Sequence, residues 1–280
     1  MDFATSHFPI FDTHSHYTAS AFDDDRIALL ESLPAKGVVG VCEQATGMAD
    51  AKETLALAHQ FPWVYAAMGI HPESLTPAED CGEWGPSPTI AVYKGDWQAE
   101  LNDLCDLMAN DPKVVAIGEC GLDYHWPVPK DAQNAMFEAH IKLALALDKP
   151  LIVHDREAHA DVYALLKKYK PKGIIHCYSG SAEDALWLAA QGMYIGFGGA
   201  CTFKGAKRAC KAVAALPLEH IVLETDCPYM TPVPHRGKRN DSSYIAHVGE
   251  KIAEIKGISP AEVFTVTTAN AYDVFRLNQP

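Results

Sequence analysis

Short apolar runs recur along the chain and alternate with longer stretches of mixed polarity. Within the runs, apolar residues follow one another with little polar interruption, as strands that are buried on both faces require. We count eight such runs, at residues 10–14, 38–43, 64–71, 114–119, 150–154, 173–177, 194–199 and 221–226. The pattern therefore predicts eight buried strands in a parallel arrangement.

The stretches between the runs have a helical pattern. In residues 131–148, Phe137, Ile141 and Leu145 recur every four residues, which places them on one apolar face of a helix. A further helix is predicted to begin near Asp96. Because strand and helix alternate eight times, the sequence predicts an α/β fold, a closed (β/α)8 TIM barrel rather than an open sheet.

The chain shows little sign of division into parts. Neither a linker-like composition nor an internal repeat interrupts it, so we expect a single domain over residues 1–280. One connection, at about residues 72–95, is long and irregular and contains four prolines and three glycines. Connections of this length are usually functional or disordered. A lid over the site and a plain surface loop are both open interpretations of it.

Nearly every apolar run ends in a residue that ionises or binds metal. In a parallel barrel all strands end on the same face, so residues from distant parts of the chain converge on one mouth. The strand-end residues are His14 and His16, Glu43, His71, Glu119, His154, His176 and Asp226.

Six of these strand-end residues form a plausible metal-binding set. His14 and His16 are two residues apart, so an extended chain places both imidazoles on the same side. Glu119 is the natural bridge, since a carboxylate can offer one oxygen to each of two ions. Imidazoles and carboxylates suit Zn, Mn or a similar divalent ion. The predicted ligands of two ions are His14, His16, Glu119, His154, His176 and Asp226. Alternatively, each is a polar residue satisfied by hydrogen bonds.

A pair of cations has a specific chemistry. Two ions about 4 Å apart activate a water at neutral pH and stabilise the entering and leaving oxygens of a displacement. Asp226 is placed to bind one ion and to accept a proton from the attacking water. We therefore predict Asp226 and Glu119 as the catalytic residues.

The charge of the chain restricts how it could hold a polyanion. Lys and Arg number 23 against 36 Asp and Glu, a net charge of −13, so general attraction to DNA is excluded and a local patch or bound cations are required. We predict substrate contacts at Arg236, beyond Asp226, at Arg156 and at His71. An ion pair with a carboxylate is the alternative for Arg156, and support of a ligand for His71.

A stripe of cations follows the seventh run. Lys204, Lys207, Arg208 and Lys211 recur at a helical spacing that stacks them on one side of the chain. They could extend a nucleic-acid track, or they could be a solvated helix face.

Cysteine usage and hydropathy bear on the compartment. The eight cysteines form no CxxC pair and are predicted to be reduced. No stretch approaches the ~20 apolar residues of a membrane helix, and residues 1–10 lack the pattern of a secretory signal. We therefore expect a cytoplasmic protein without membrane contact, and nothing in the sequence implies a protein partner.

Seven short motifs carry a family resemblance. They are DTHSH (12–16), GIHPE (69–73), IGECGLDY (117–124), VHDREA (153–158), IHCYSG (175–180), LETDCPYMTP (223–232) and RGKRN (236–240). In this order they resemble the signature of the TatD family of metal-dependent deoxyribonucleases, within the amidohydrolase-like metallohydrolase barrels. The resemblance extends from residue 10 to about residue 276.

The resemblance implies an activity and a division of the ligands. It implies a nuclease that removes nucleotides from single-stranded or frayed DNA ends and is supported by Mg or Mn. One ion would be held by His14, His16, Glu119 and Asp226, and a second would lie among Glu119, His154 and His176. The chain departs from the family pattern at Asn240-Asp241-Ser242, where Asn-x-Pro is common, and in the longer stretch after GIHPE. Both departures alter the rim and leave the predicted ligands in place.

Two other function classes are open at this stage. The same metal site could hydrolyse an amide, lactone or ester, as related barrels do. Cations at Arg236, Lys238 and Arg239 favour a phosphodiester, because a carbonyl substrate would not need them. A third hypothesis is a binding protein without turnover. A barrel that had lost its activity would be expected to have lost metal ligands as well, and all six predicted ligands are present.

Overall fold

The computed structural model describes residues 8–76 and 96–279. Within these ranges, eight strands form one parallel sheet in which spatial neighbours follow the order of the chain. The strands are β1 Ile10–Ser15, β2 Val38–Ala45, β3 Val64–Met68, β4 Val114–Asp123, β5 Leu151–Arg156, β6 Gly173–Ile175, β7 Met193–Phe197 and β8 Ile221–Leu223.

Helices alternate with these strands and cover the outside of the sheet. The α-helices of the described residues are α1 Arg26–Ser32, α2 Met48–Gln60, α3 Trp97–Met108, α4 Lys130–Leu147, α5 His159–Tyr169, α6 Ala182–Ala190, α7 Lys207–Ala215, α8 Ile245–Lys256 and α9 Pro260–Val274. The predicted (β/α)8 TIM barrel is confirmed, with one additional helix at the carboxyl end. The helix predicted near Asp96 is α3, and Asp96 caps it by accepting the Gln98 N–H at 2.9 Å.

Four predicted strands, the third, sixth, seventh and eighth, are too long at their carboxyl ends. The third run ends as a strand at Met68, because His71 begins a short 3-10 helix, Pro72–Leu75. The eighth ends at Leu223, and Asp226 has a φ of 58°, which an extended strand does not allow. Thus His71 and Asp226 lie on loops just beyond their strands. The rest of the predicted loop, from residue 77 to 95, lies outside the described residues. The interpretation of this loop as a lid therefore also falls outside them.

The barrel closes between β1 and the segment that follows β8. A parallel bridge joins Ser15 to Cys227, and the His16 N–H donates to the Cys227 carbonyl oxygen at 3.0 Å. The Asp226 N–H donates to the His14 carbonyl oxygen at 2.9 Å. Closure of the sheet therefore uses the backbone of three residues that we predicted to be metal ligands.

A buried carboxylate reinforces this closure. Asp12 is fully buried and accepts hydrogen bonds from the Thr225 N–H at 3.0 Å, the Thr225 hydroxyl at 2.7 Å and the Ser242 hydroxyl at 2.7 Å. Burial raises the pKa of Asp12 to about 7, against the opposing effect of these hydrogen bonds. One side chain thus connects β1 to the segments on both sides of the β8 loop.

The core has a large cluster between the sheet and the helices and a smaller one at the foot of the barrel. The smaller cluster combines strand residues such as Phe11 and Ile152 with Tyr272 and Phe275 at the end of α9. The Phe11 ring meets that of Tyr272 edge-on at 5.3 Å. A Cβ at Gly40 would lie 2.3 Å from the Phe11 ring, so glycine leaves the space that this ring fills. The end of α9 therefore packs against the foot of the barrel.

The structure bears on two expectations from the sequence, reduced cysteines and the lack of a membrane helix. The seven cysteines in the described residues are free. No helix among the described residues has the length and hydropathy needed to cross a membrane.

The foot of the barrel supplies a stability prediction. Phe11 is 2% exposed, and Phe11→Ala should lower the free energy of unfolding by about 3–5 kcal/mol, because it removes buried surface and leaves a cavity. Urea unfolding measures this loss. In the control Ile27→Ala, whose side chain is 38% exposed, the change should stay below about 1 kcal/mol. Equal losses in the two variants would contradict the packing described.

Candidate metal centre

Four ligand atoms from three parts of the chain surround one point at the mouth of the barrel. The Nε2 atoms of His14 and His16 are 3.1 Å apart. Glu119 Oε2 lies 3.3 Å from the former and 3.6 Å from the latter, and Asp226 Oδ1 lies 3.7 and 3.5 Å from them. Two ligands bound tetrahedrally at the usual Zn distances are about 3.4 Å apart. These five distances, of 3.1 to 3.7 Å, therefore suit ligands of a single divalent ion.

The other oxygen of Glu119 faces a second group. Glu119 Oε1 lies 2.9 Å from His154 Nδ1, 3.4 Å from His176 Nε2 and 3.5 Å from His71 Nε2. Possible ligand groups within these residues include His71 with Glu119 and His154, and His14 with Glu119 and His176. Glu119 thus presents one oxygen to each side of the cluster. The structure brings together all six predicted ligands and adds His71 to them.

The electrostatics keep the carboxylates of the cluster ionised. Burial alone would raise the pKa of Glu119, but its interactions with the surrounding imidazoles of His14, His71 and His176, including a hydrogen bond with His14, hold it well below its usual range. Burial, aided by the charge of His176, lowers the pKa of His14 to about 4, which leaves a neutral imidazole. An ionised carboxylate and a neutral imidazole are the forms that bind metal. Moreover, His14 Nδ1 is buried without a hydrogen-bond partner.

Two other histidines are held by carboxylates in the absence of a cation. Burial opposes protonation of His16, yet the hydrogen bond to Asp226 and the charge of Glu119 raise its pKa to about 9. For His154, hydrogen bonds to Asp123 and Glu119 likewise outweigh burial and raise the pKa to about 10. Bound divalent ions would take the place of these protons, so metal uptake is expected to release protons.

Carboxylates outside the cluster orient its imidazoles. Asp123 Oδ2 lies 3.0 Å from His154 Nε2, and Glu224 Oε1 lies 3.4 Å from His176 Nδ1. The backbone N–H of Cys177 donates to Glu224 Oε1 at 2.6 Å. A Cβ at Gly196 would lie 2.3 Å from Glu224 Oε2, so glycine leaves room for the carboxylate. Partners of this kind fix the ring orientation of metal-binding histidines.

A network behind His71 aims its ring at the cluster. The Glu73 N–H donates to His71 Nδ1 at 3.2 Å, which leaves Nε2 toward Glu119. The preceding Ile70 N–H donates to His140 Nε2 on α4 at 3.0 Å. We predicted His71 as a substrate contact, and its place beside Glu119 and His154 makes it a possible ligand as well. Its position at the end of the third run was the signal in the sequence.

A cavity of about 880 Å³ opens above the cluster. Its walls include Arg156 and Arg208 as well as His71. Arg156 Nη1 lies 4.0 Å from Asp123 Oδ2, so the ion pair considered from the sequence is present although the side chain also faces the cavity. Arg236 is not among the lining residues. Its guanidinium carbon lies 3.6 Å from the centre of the Phe203 ring.

The mouth of the cavity therefore differs from the one that the sequence suggested. Arg239, which follows Arg236 in the same loop, forms an ion pair with Asp25 at 2.7 Å. Arg208 on α7 lines the cavity instead, whereas Lys204, Lys207 and Lys211 from the same predicted stripe do not, although all four side chains are exposed. The helical spacing identified the stripe, but not the member that lines the cavity.

An eight-stranded parallel barrel with clustered imidazoles and carboxylates at the carboxyl ends of its strands defines a metal-dependent hydrolase. The family model for TatD related DNase matches residues 11–276. The chain belongs to the TatD family.

Relatives and solved structures agree with this assignment. The chain is 37% identical to the uncharacterized metal-dependent hydrolase YabD of Bacillus subtilis over 96% of this chain and 100% of that protein. It is 30% identical to the 3'-5' ssDNA/RNA exonuclease TatD of Salmonella typhimurium, over 96% and 99% of the two chains. The crystal structure of YjjV, a TatD homologue from Escherichia coli, superposes with a TM-score of 0.84 at 29% identity, covering 96% and 98%.

The position of Glu119 leads to a prediction about metal content. Glu119→Gln should lower the amount of divalent ion retained after dialysis, because it removes the charge that both sides of the cluster share. Elemental analysis measures the loss. Glu43→Gln is the matched control: Glu43 is also a buried glutamate on a strand of the barrel, but it accepts from Ser15 Oγ and the Thr18 N–H, each at 2.7 Å, outside the cluster. Unchanged metal content in Glu119→Gln would contradict the assignment.

The buried imidazole of His140 supplies a pH prediction. Burial lowers its pKa to about 4 from 6.5, so below pH 6.5 the unfolded chain binds a proton that the folded chain excludes. This contribution to the free energy of unfolding is complete above pH 6.5 and is lost as the pH falls toward 4, a change of about 3 kcal/mol. Urea unfolding between pH 4 and 7 of wild type and His140→Gln measures it. Identical pH slopes for the two proteins would refute it.

Proposed function

We propose that this protein is a divalent-metal-dependent nuclease that cleaves phosphodiester bonds of DNA and removes nucleotides from single-stranded or frayed ends. The observation that carries the proposal is the placement of Glu119, with one carboxylate oxygen toward each half of the ligand cluster. Membership of the TatD family and the exonuclease name of the Salmonella relative support the choice of substrate.

The residues divide into two candidate ion sites that share Glu119. We assign His14, His16, Glu119 and Asp226 to one site, on the distances among their ligand atoms. We assign Glu119, His154 and His176 to the other, with His71 as a further donor. Their nitrogen and oxygen donors suit Zn or Mn, and Mg is the other candidate. When bound, the two ions would supply Lewis acidity to the phosphoryl group and to the attacking water.

Asp226 is the proposed proton acceptor. Its side chain is 20% exposed, whereas the Glu119 side chain is 4% exposed, so Asp226 is the carboxylate of the cluster more open to the cavity. The hydrogen bond between its backbone N–H and His14 holds the loop that carries it. Asp226 could therefore accept a proton from a water in the cavity while it also binds an ion.

The cations of the cavity favour a phosphodiester over a carbonyl substrate. Arg156 and Arg208 line the cavity, and a guanidinium matches two phosphate oxygens. In this proposal Arg156 and Arg208 have the role of phosphate contacts that we predicted from the sequence for the cations around Arg236. An amide, lactone or ester substrate remains the alternative, and it would not need either arginine.

The shape of the cavity bears on the choice between strand ends and duplex. The ligand cluster is almost wholly buried at its base, with Glu119 3% exposed and His14 fully buried. A single flexible strand can bring one phosphodiester to such a depth, while a duplex of fixed width would be held off at the rim. We therefore propose a preference for single-stranded or frayed ends.

A labelled single-stranded oligonucleotide tests the proposal. Wild type should release nucleotides when Mg or Mn is added, and Glu119→Ala should do so at least about 100-fold more slowly, because it loses the carboxylate shared by both ion sites. A blunt duplex of the same sequence and a chelator are the controls. Failure of wild type to cleave the strand with Mg, Mn or Zn, together with metal-dependent hydrolysis of an ester or lactone, would favour the alternative.

A further inference from the structure

One wall of the cavity carries basic side chains that are outside the ligand cluster. His159 is the first residue of α5, and Arg208 is the second residue of α7. Both line the cavity, although they are far apart in the chain. We define the phosphate wall as His159 and Arg208.

The ring of His159 is fixed by a neighbouring carboxylate. Asp155 Oδ2 lies 2.7 Å from His159 Nδ1, so the proton on Nδ1 is donated to the carboxylate. This hydrogen bond raises the pKa of His159 despite partial burial. The ring also stacks on Tyr163, with 5.8 Å between the centroids. The other nitrogen, Nε2, has no hydrogen-bond partner among the described residues and can donate to a ligand when the ring carries both protons.

Arg208 lacks the compensation that most other arginines have. In the ranges that the structure describes, no carboxylate forms an ion pair with it. Its charge lowers the pKa of His159, so the two basic groups lie close enough to repel each other. By contrast, ion pairs with carboxylates occur at Arg26, Arg156, Arg239 and Arg276. An anion placed between His159 and Arg208 would relieve their repulsion.

The size of the cavity leaves space for more than the reacting group. Its volume of about 880 Å³ lies near the upper end of the range of ~300–1,000 Å³ for ligand sites. A nucleic-acid strand carries a phosphate at every nucleotide, so a strand with one phosphodiester at the ligand cluster brings a second phosphate close to it. The guanidinium of Arg208 and, in the protonated ring, the Nε2–H of His159 are suitable donors for that group.

We propose that His159 and Arg208 form a subsite for the phosphate next to the one that is cleaved. This inference rests on the proposed nuclease function and goes beyond it, because it assigns a binding role to two residues outside the ligand cluster. The subsite contributes to affinity and register along the strand, while the chemistry takes place at the cluster.

The test removes the charge on the substrate and on the protein in turn. The substrate is a labelled single-stranded oligonucleotide, and the linkage next to the one that wild type cleaves first is replaced by a neutral methylphosphonate. Each diastereomer is compared with the unmodified strand by kcat/KM for release of the first nucleotide. Because a hydrogen bond to a charged group is stronger than one to a neutral group, the kcat/KM of wild type should fall about tenfold or more on the neutral linkage.

The variants locate the contact. We call the loss in kcat/KM that the neutral linkage causes the penalty. In Arg208→Gln and His159→Gln this penalty should shrink to a fraction of the wild-type value, since the protein partner of the charge is already missing. Arg208→Lys should keep part of it, as a point charge without the guanidinium fork. Lys211→Gln is the matched control, because Lys211 is an exposed cation on the same helix that does not line the cavity. It should retain the full wild-type penalty.

The outcomes separate the two proposals. A penalty of the same size in wild type, Arg208→Gln and His159→Gln, each with an unfolding temperature like that of wild type, would overturn the phosphate subsite and leave the nuclease proposal standing. The subsite would also be overturned if Lys211→Gln reduced the penalty as much as Arg208→Gln. If wild type failed to cleave the unmodified strand with any of the ions tested, the proposed function itself would be contradicted.

Discussion

The closure of the sheet between β1 and the β8 loop is the interaction on which both the fold and the site depend. The Asp226 N–H donates to the His14 carbonyl oxygen, and the His16 N–H donates to the Cys227 carbonyl oxygen. These bonds close the ring of strands, and the same residues carry three of the candidate ligands. Buried Asp12 ties Thr225 and Ser242 to β1 behind them. A change that opened this seam would therefore disturb the barrel and the ligand cluster together.

Burying so many ionisable groups in one place has an energetic consequence. Removing charges from water is costly unless they are paired, so the cluster is stable only with compensating partners. Within the cluster, interactions with Asp226 and Glu119 raise the pKa of His16, and interactions with Asp123 and Glu119 raise that of His154. Divalent ions would provide the same compensation and also a reactive centre. The arrangement is thus explained more simply by metal binding than by a contribution to stability, since a well-packed apolar core would be at least as stable.

A chain of net charge −13 would need local positive charge to hold a polyanion. The loop cations favoured by the sequence have other partners: Arg236 stacks on Phe203, and Arg239 pairs with Asp25. Arg156 and Arg208 reach the cavity from β5 and α7 instead. The net negative charge of the chain and the two arginines that line the cavity together favour a ligand that enters the barrel mouth over one that lies across the surface.

Much of this protein is readable from local patterns, because apolar periodicity decides helix and strand one element at a time. The eight runs predicted the barrel, and the rule that parallel strands end on one face predicted from the sequence alone that His14, Glu119 and His176 lie close together. The side-chain directions in the loops were beyond such patterns. The place of His71 beside Glu119 depends on its contact with Glu73 and on the bond of the preceding residue to His140 of α4. The place of Arg208 at the cavity depends on how α7 packs. Contacts between residues far apart in the chain decide these orientations, so only the tertiary structure contains them.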